Sequence, residues 1–364
     1  MHCMMRLLFA IVLLAHGNAR SSGRDVVVVR VGDGSAALSS AATAVYLERR
    51  GADGSIVGAI ALPTAVQGSN RQFSLSGSSG SEGAIAVSAD GRYASLAGYA
   101  ADVGLASVST TTSASVLRVV ARIDGQNNVD TSTVLNAFSG ANVRGAVSSD
   151  GAAFWVSGNS ATASSAGVWY ATLGSSSAQI LASPANVRTV NIAAGQLFAD
   201  SGANPFANVF AVGAGLPISA GQTATSLAGM PTSGTSMYAF LFFDRDAAVS
   251  GIDTLYVADD NAIASGGGIQ KWIFDGTTWL KSNTFTNGLS VGVRGLTGEA
   301  VGRNVVLYAT TAATPNNLVR LVDDGTMATA ATVIATAPTN TVYRGVTLAW
   351  RMPLTDVIFT DDFE

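Results

Sequence analysis

The chain has almost no histidine, cysteine or lysine. Its 364 residues include two histidines and one cysteine, and His2, Cys3 and His16 all lie close to the N-terminus. The remaining sequence lacks the histidine and cysteine that Ser-His-Asp catalysis, Cys-His catalysis and histidine acid–base chemistry need. It also excludes disulfides, and zinc sites built from thiolate or imidazole ligands. Catalysis of these kinds is therefore not expected.

Long hydrophobic runs are absent except near the N-terminus. The run Leu7–Ala15 follows the basic residue Arg6 and precedes the small residues Gly17 and Ala19, an order typical of a secretory signal peptide. We predict a signal peptide over residues 1–19 and a secreted or periplasmic protein. The run is shorter than the roughly 20 apolar residues of a transmembrane helix, so no membrane span is expected.

Charge is sparse and balanced. Charged residues make up 12% of the chain and the formal net charge is −4. Without a basic cluster, neither nucleic acid nor an anionic membrane surface is an expected partner. Apolar residues make up 48%, enough for a large core without disulfides. We expect a monomer.

A strand-like segment recurs along the chain at intervals of 44 to 62 residues. Its six copies are SEGAIAV from Ser81, VRGAVSS from Val143, VRTVNIA from Val187, MYAFLFF from Met237, VRGLTGE from Val293 and YRGVTLA from Tyr343. The first five are each followed by a turn and three further β-rich segments, which is the content of one propeller blade. The turns SADGR (88–92) and SSDGA (148–152) place Gly where a tight hairpin needs a positive φ. The first turn resembles the S-x-DGR turn of YVTN-type propellers.

The sixth copy lacks three strands, and the N-terminal segments 25–34, 44–54 and 55–63 can supply them. We therefore predict an all-β, six-bladed propeller over residues 20–355, closed by pairing of the N- and C-terminal strands. A seventh blade within residues 202–236 and a β-solenoid remain open. The tail 356–364, DVIFTDDFE, resembles the IFxDGFE endings of exported gammaproteobacterial proteins, which implies export.

One set of positions is a candidate ligand site. Superposing the six repeats places equivalent residues around the axis: Glu82, Arg144, Arg188, Tyr238, Arg294 and Arg344. Guanidinium groups match carboxylates and phosphates. We predict a non-enzymatic binding or scaffold protein that recognises an anionic small molecule, glycan or protein tail at the channel mouth. Alternatively, these arginines bond neighbouring backbone and have only a structural role.

Two enzymatic alternatives stay open. Six-bladed gluconolactonase-like propellers, which the repeats resemble, hold calcium in the channel. That resemblance implies a calcium-dependent lactonase or hydrolase with Glu82 near the ion, although arginines occupy the matching positions of other blades. A second possible calcium site is the acidic group Asp244, Asp246, Asp253, Asp259 and Asp260, whose alternative role is turn capping. The other alternative is a glycosidase that uses two carboxylates, although the sequence does not show which two would form the pair.

Overall fold

A computed structural model describes residues 24–313 and 316–350. Within them the regular structure is almost entirely β, with single-turn 3-10 helices at Val108–Thr110, Ala163–Ser165 and Ile263–Ser265. The strands are β1 Val26–Val31, β2 Ala42–Thr43, β3 Val45–Arg50, β4 Ile56–Ala61, β5 Leu75–Ser76, β6 Ile85–Val87, β7 Ala94–Tyr99, β8 Arg118–Ile123, β9 Val129–Leu135, β10 Val143–Ser148, β11 Ala153–Gly158, β12 Gly167–Thr172, β13 Ser177–Leu181, β14 Val187–Ala193, β15 Gln196–Ser201, β16 Val209–Val212, β17 Ala224–Ser226, β18 Met237–Phe243, β19 Thr254–Asp259, β20 Gly268–Phe274, β21 Trp279–Phe285, β22 Val293–Val301, β23 Asn304–Thr311, β24 Asn317–Asp323, β25 Thr332–Thr336 and β26 Val342–Leu348.

These strands form six four-stranded antiparallel sheets in a ring. Blade I has the order β26-β1-β3-β4, and blades II to VI are β6–β9, β10–β13, β14–β17, β18–β21 and β22–β25. The short strands β2 and β5 pair separately. The predicted six-bladed propeller is confirmed, and the solenoid alternative is wrong. The stretch 202–236 adds no seventh blade, because its strands β16 and β17 complete blade IV.

Blade I closes the ring with strands from both ends of the described chain. Strand β1 pairs with β26 on one side and with β3 on the other, and Val28 lies opposite Val346. This is the predicted pairing, and it leaves no inner strand of blade I unpaired. The physical advantage is that closure hides hydrogen-bonding groups that would otherwise attract other chains.

The sequence of β1 explains why blade I is buried on both faces. Val27, Val29 and Val31 belong to one apolar cluster with residues of blade II, whereas Val26 and Val28 belong to another with residues of blade VI. Side chains alternate between the two faces of a strand. A continuous valine run therefore suits a sheet packed between two neighbours.

Some sequence predictions fall outside the described residues. The signal peptide at 1–19 and the tail at 356–364 belong to this group, so both remain predictions. Within the described residues, no helix is long and apolar enough to cross a membrane.

Candidate ligand-binding channel

The first strands of the six blades enclose a central channel of about 730 Å³, lined by residues of all six. Neighbouring first strands run in the same direction, as the parallel bridge between Ala84 and Gly145 shows for blades II and III. The starts of these strands therefore lie on one face of the ring. We call this end of the channel the mouth.

The structure divides the six predicted residues into two groups. Glu82, Tyr238, Arg294 and Arg344 line the channel at its mouth. Arg144 and Arg188 are not among the lining residues. The repeat therefore brings six equivalent positions to one end of the ring, but only four of them face the cavity.

A β-bulge lies at five of the six positions. In blade III, Val143 and Gly145 pair with the adjacent residues Gly158 and Ser157, so Arg144 has no residue opposite it. Comparable shifts occur at 188–189, 238–239, 294 and 344–345. A bulge bends its strand and redirects a side chain. This local geometry turns each long side chain away from its own sheet.

Arg144 and Arg188 each reach the next blade and bond its backbone. Arg144 Nη1 donates to Asn186 Oδ1 and, at 3.3 Å, to the carbonyl oxygen of Val187. Arg188 Nη1 donates to the carbonyl oxygen of Met237 at 2.7 Å. Burial lowers the pKa of Arg144. These two side chains therefore fasten consecutive blades together, which is the structural role the sequence left open.

Tyr238 connects this inter-blade layer to the mouth. The guanidinium carbon of Arg188 lies 4.2 Å from the centre of the Tyr238 ring, and that of Arg294 lies 5.5 Å from it. Cation–π attraction at such distances is worth about 0.5–2 kcal/mol, depending on desolvation. The Tyr238 ring therefore contacts one arginine of the inter-blade layer and one arginine of the mouth.

Arg294 and Arg344 are the two cations of the mouth. Arg294 Nε donates to Asp260 Oδ2 at 2.7 Å, and its side chain keeps 31% of its surface exposed. Arg344 is 8% exposed and donates from Nη2 to the carbonyl oxygen of Gly77 at 3.1 Å. Burial lowers the pKa of Arg344 to about 10, Glu82 opposes this, and the charge of Arg294 reinforces it. Arg344 is therefore still cationic at neutral pH, beside a second cation.

Glu82 forms no hydrogen bond with an arginine among the described residues. Its Oε1 accepts from Tyr99 Oη at 2.7 Å and from Asn142 Nδ2 at 2.6 Å. Its Oε2 accepts from the backbone N–H of Ser76 at 2.8 Å. Burial raises the pKa of Glu82, while these hydrogen bonds and the charge of Arg344 oppose the rise. Glu82 therefore joins blades II and III at the mouth through hydrogen bonds.

Sequence reasoning missed Asp200, at the end of the second strand of blade IV. Its Oδ1 accepts from both the backbone N–H and the hydroxyl of Thr189 at 2.6 Å, at the bulge. Oδ2 is buried and has no hydrogen-bond partner among the described residues. Burial raises the pKa of Asp200 to about 7. The pair Ala-Asp occurs at 199–200 and again at 258–259, at or near the end of the second strand in blades IV and V. This repetition was the sequence signal that could have identified Asp200.

The acidic group considered for calcium is divided among separate roles. Asp253 Oδ2 accepts from the backbone N–H groups of Arg245 and Asp246 at 2.8 and 2.7 Å, which caps a turn. Asp259 Oδ2 accepts from Gln270 Nε2 at 3.0 Å. Across residues 24–313 and 316–350, no three acidic, histidine or cysteine side chains are grouped so as to hold a metal ion. The calcium-dependent hydrolase remains a prediction without a ligand set among these residues.

Comparisons with known proteins add little to this geometry. No family model matches the chain, and no curated protein is detectably similar in sequence. A solved structure provisionally named 6-phosphogluconolactonase, from Bacteroides uniformis ATCC 8492, is 12% identical with a TM-score of 0.45, covering 86% of this chain and 83% of that one.

A second structure with the same provisional name, from Bacteroides fragilis NCTC 9343, is 11% identical with a TM-score of 0.48, covering 86% of this chain and 82% of that one. AztD from Citrobacter koseri is 11% identical with a TM-score of 0.32, covering 88% of this chain and 97% of that one. Likenesses this weak support no inference about activity or ligand.

Proposed function

We propose that the protein is a non-enzymatic binding propeller that captures an anionic small molecule at the mouth of its central channel. The observation that carries this proposal is the pair Arg294 and Arg344, two guanidiniums facing one cavity, of which one is nearly buried. Two like charges in a partly desolvated site repel each other. A bound anion removes that repulsion and satisfies donors that the described protein groups leave available.

The polar surroundings also suit an anion. The guanidinium of Arg294 is oriented by Asp260 and by the Tyr238 ring, so little side-chain entropy remains to be lost on binding. Hydrogen bonds between ionised partners contribute about 1.5–3 kcal/mol each. A site with two such donors can therefore bind a carboxylate or a phosphate without any catalytic group.

The test is calorimetric titration with inorganic phosphate, acetate and glucuronate. Arg294→Ala should weaken binding by about tenfold or more, because it removes one charge-assisted contact. Raising the salt concentration should weaken binding further, because screening reduces attraction at a partly exposed site. Lys281→Ala is the matched control: it removes one positive charge from an exposed position on the outer strand β21 and should leave affinity unchanged.

Binding that is equal in both variants and insensitive to salt would contradict the proposal, and so would no binding of any of the three anions. The thermal unfolding curve of Arg294→Ala shows whether the variant is folded, so weaker binding can be distinguished from unfolding. Because Arg294 is only half-buried, we expect that curve to change little.

A further inference from the structure

We propose, as an extension that rests on the proposed function, that the ligand is a monoanion carrying an unbranched apolar chain, such as a medium-chain carboxylate. The charged head would bind at the mouth and the chain would extend down the channel. The proposal comes from the change in chemistry along the channel, from charged groups at the mouth to aliphatic side chains further in.

Beyond the mouth, partly exposed aliphatic side chains line three of the inner strands. They are Val87 from β6, Leu241 from β18 and Leu348 from β26. Behind the wall, the apolar clusters between blades bury Ile85, Val190, Phe240, Leu296 and Val346. This part of the channel therefore offers apolar contacts to a ligand.

Polar side chains in this middle stretch are few and uncharged. Asn191 donates from Nδ2 to the carbonyl oxygen of Phe240 at 3.0 Å, so its amide is used within the wall. Thr297 and Thr347 are the other polar lining residues of this stretch within the described chain. Charged lining residues occur at the mouth and again at the opposite end, where Arg24 and Asp90 lie.

The charge balance at the mouth favours a single negative charge. Asp260 already pairs with Arg294 at 2.7 Å, which leaves the charge of Arg344 without a direct ion pair among the described residues. Glu82 is the other neighbouring acid, and its two oxygens accept hydrogen bonds from Tyr99, Asn142 and Ser76 and none from Arg344. A dianion such as a phosphate monoester would exceed the available positive charge, whereas a carboxylate would match it.

The channel is also large enough for a chain. Its volume of about 730 Å³ falls within the roughly 300–1,000 Å³ typical of small-molecule sites. A simple inorganic anion would fill only a small part of it. Burying each CH2 group of a chain against this wall should increase affinity by about fourfold.

The experiment is a titration series with acetate, butyrate, octanoate and decanoate below their micelle concentrations, with octanol and inorganic phosphate as companions. We expect affinity to rise steadily with chain length, and octanoate to bind at least about tenfold more tightly than octanol. If acetate and phosphate bind as tightly as decanoate, the extension is wrong while the proposed anion site stands. If octanol matches octanoate, or if no probe binds, both proposals fail.

Variants in the wall separate chain binding from head-group binding. Leu241→Asn should weaken decanoate binding by about tenfold or more and leave acetate binding unchanged, because it alters only the apolar wall. Leu280→Asn is its matched control in the same blade, since Leu280 is 55% exposed on the outer strand. Equal effects on decanoate in the two variants would overturn the proposal.

Should Leu241→Asn fail to fold, Thr297→Val provides the same test in the opposite direction. It replaces a hydroxyl with a methyl group of similar size in the channel wall. Decanoate should then bind several-fold more tightly, with acetate unaffected. An unchanged or weaker decanoate affinity would contradict the proposed apolar chain site.

Discussion

Single residues at the bulges decide what each arginine does. The repeat places Arg144 and Arg344 at comparable positions, yet Arg144 bonds the neighbouring blade beyond the channel wall, while Arg344 lines the channel itself. What differs is the surroundings, because the bulge redirects the side chain and the adjacent blade determines which groups it meets. A shared position in a repeat is thus compatible with two roles.

Asp200 is a buried residue whose charge state should affect stability. Its pKa is about 7 in the folded protein against 3.8 for the ordinary carboxyl, because burial disfavours the ionised form. Because the folded-state pKa is raised, the protonated Asp200 side chain contributes fully to stability below about pH 4. This contribution is lost as the pH rises through 7. The difference between the two pKa values corresponds to roughly 4 kcal/mol of folding free energy.

We therefore predict that Asp200→Asn comes closest to the original protein in stability below about pH 4, and that its advantage grows as the pH rises to 7 and is full at pH 8, measured by denaturant unfolding. Asparagine keeps an oxygen acceptor for Thr189. Asp275→Asn is the control of opposite sign: hydrogen bonds from Thr277 and Thr278 lower the pKa of this exposed carboxyl to about 2. It should lower stability above about pH 4, and this effect should disappear as the pH falls towards 2. The prediction is wrong if Asp200→Asn shows the same dependence on pH as the original chain.

At the scale of elements, the turn between β3 and β4 fixes how blade I meets blade VI. Gly54 has a φ of +86°, and a Cβ there would overlap the carbonyl oxygen of Ile334 in strand β25. The turn therefore needs glycine for two reasons, its left-handed backbone and the close approach of the neighbouring blade.

We predict that Gly54→Ala lowers the free energy of unfolding by about 2–4 kcal/mol, from backbone strain plus the overlap. Gly68→Ala is the matched control, because its φ is +61° but nothing lies within 4 Å of the added carbon. It should cost only about 1–2 kcal/mol, from strain alone. Equal losses in urea unfolding would mean that blades I and VI do not approach each other as described.

At the scale of the molecule, closure makes the ring one cooperative unit. Strand β26 supplies the innermost strand of blade I, and its Val342, Tyr343 and Val346 are buried. Without it, the inner edge of β1 would present unpaired backbone groups to solvent. Closure by a single terminal strand is thus a point on which the whole structure depends.

A chain ending at residue 341 should lose cooperative thermal unfolding and bind a hydrophobic dye, because two apolar clusters beside blade I would be opened. A chain ending at residue 350 is the comparison, since it keeps all six blades. Indistinguishable unfolding curves for the two chains would show that β26 contributes little to closure.

By itself, the sequence predicted six blades and the order of their strands, and the structure then assigned residues 202–236 to blade IV instead of a seventh blade. Turn residues, β-rich segments and their recurrence are local properties that need no knowledge of distant neighbours. The pairing of β1 with β26 also followed from the sequence, because the C-terminal repeat lacked three strands that the N-terminal segments could supply. For the same reason, the equivalent positions at the starts of the inner strands could be predicted to lie together at one end of the ring, where the candidate site is proposed.

Only the tertiary structure decided which of those residues face the channel. Whether a guanidinium bonds the next blade, stacks on Tyr238 or enters the cavity depends on bulges and on blades distant in sequence. The burial that shifts the pKa values of Asp200 and Arg344 likewise arises when several blades converge. Burial and proximity are properties of the assembled ring, so no single repeat could reveal them.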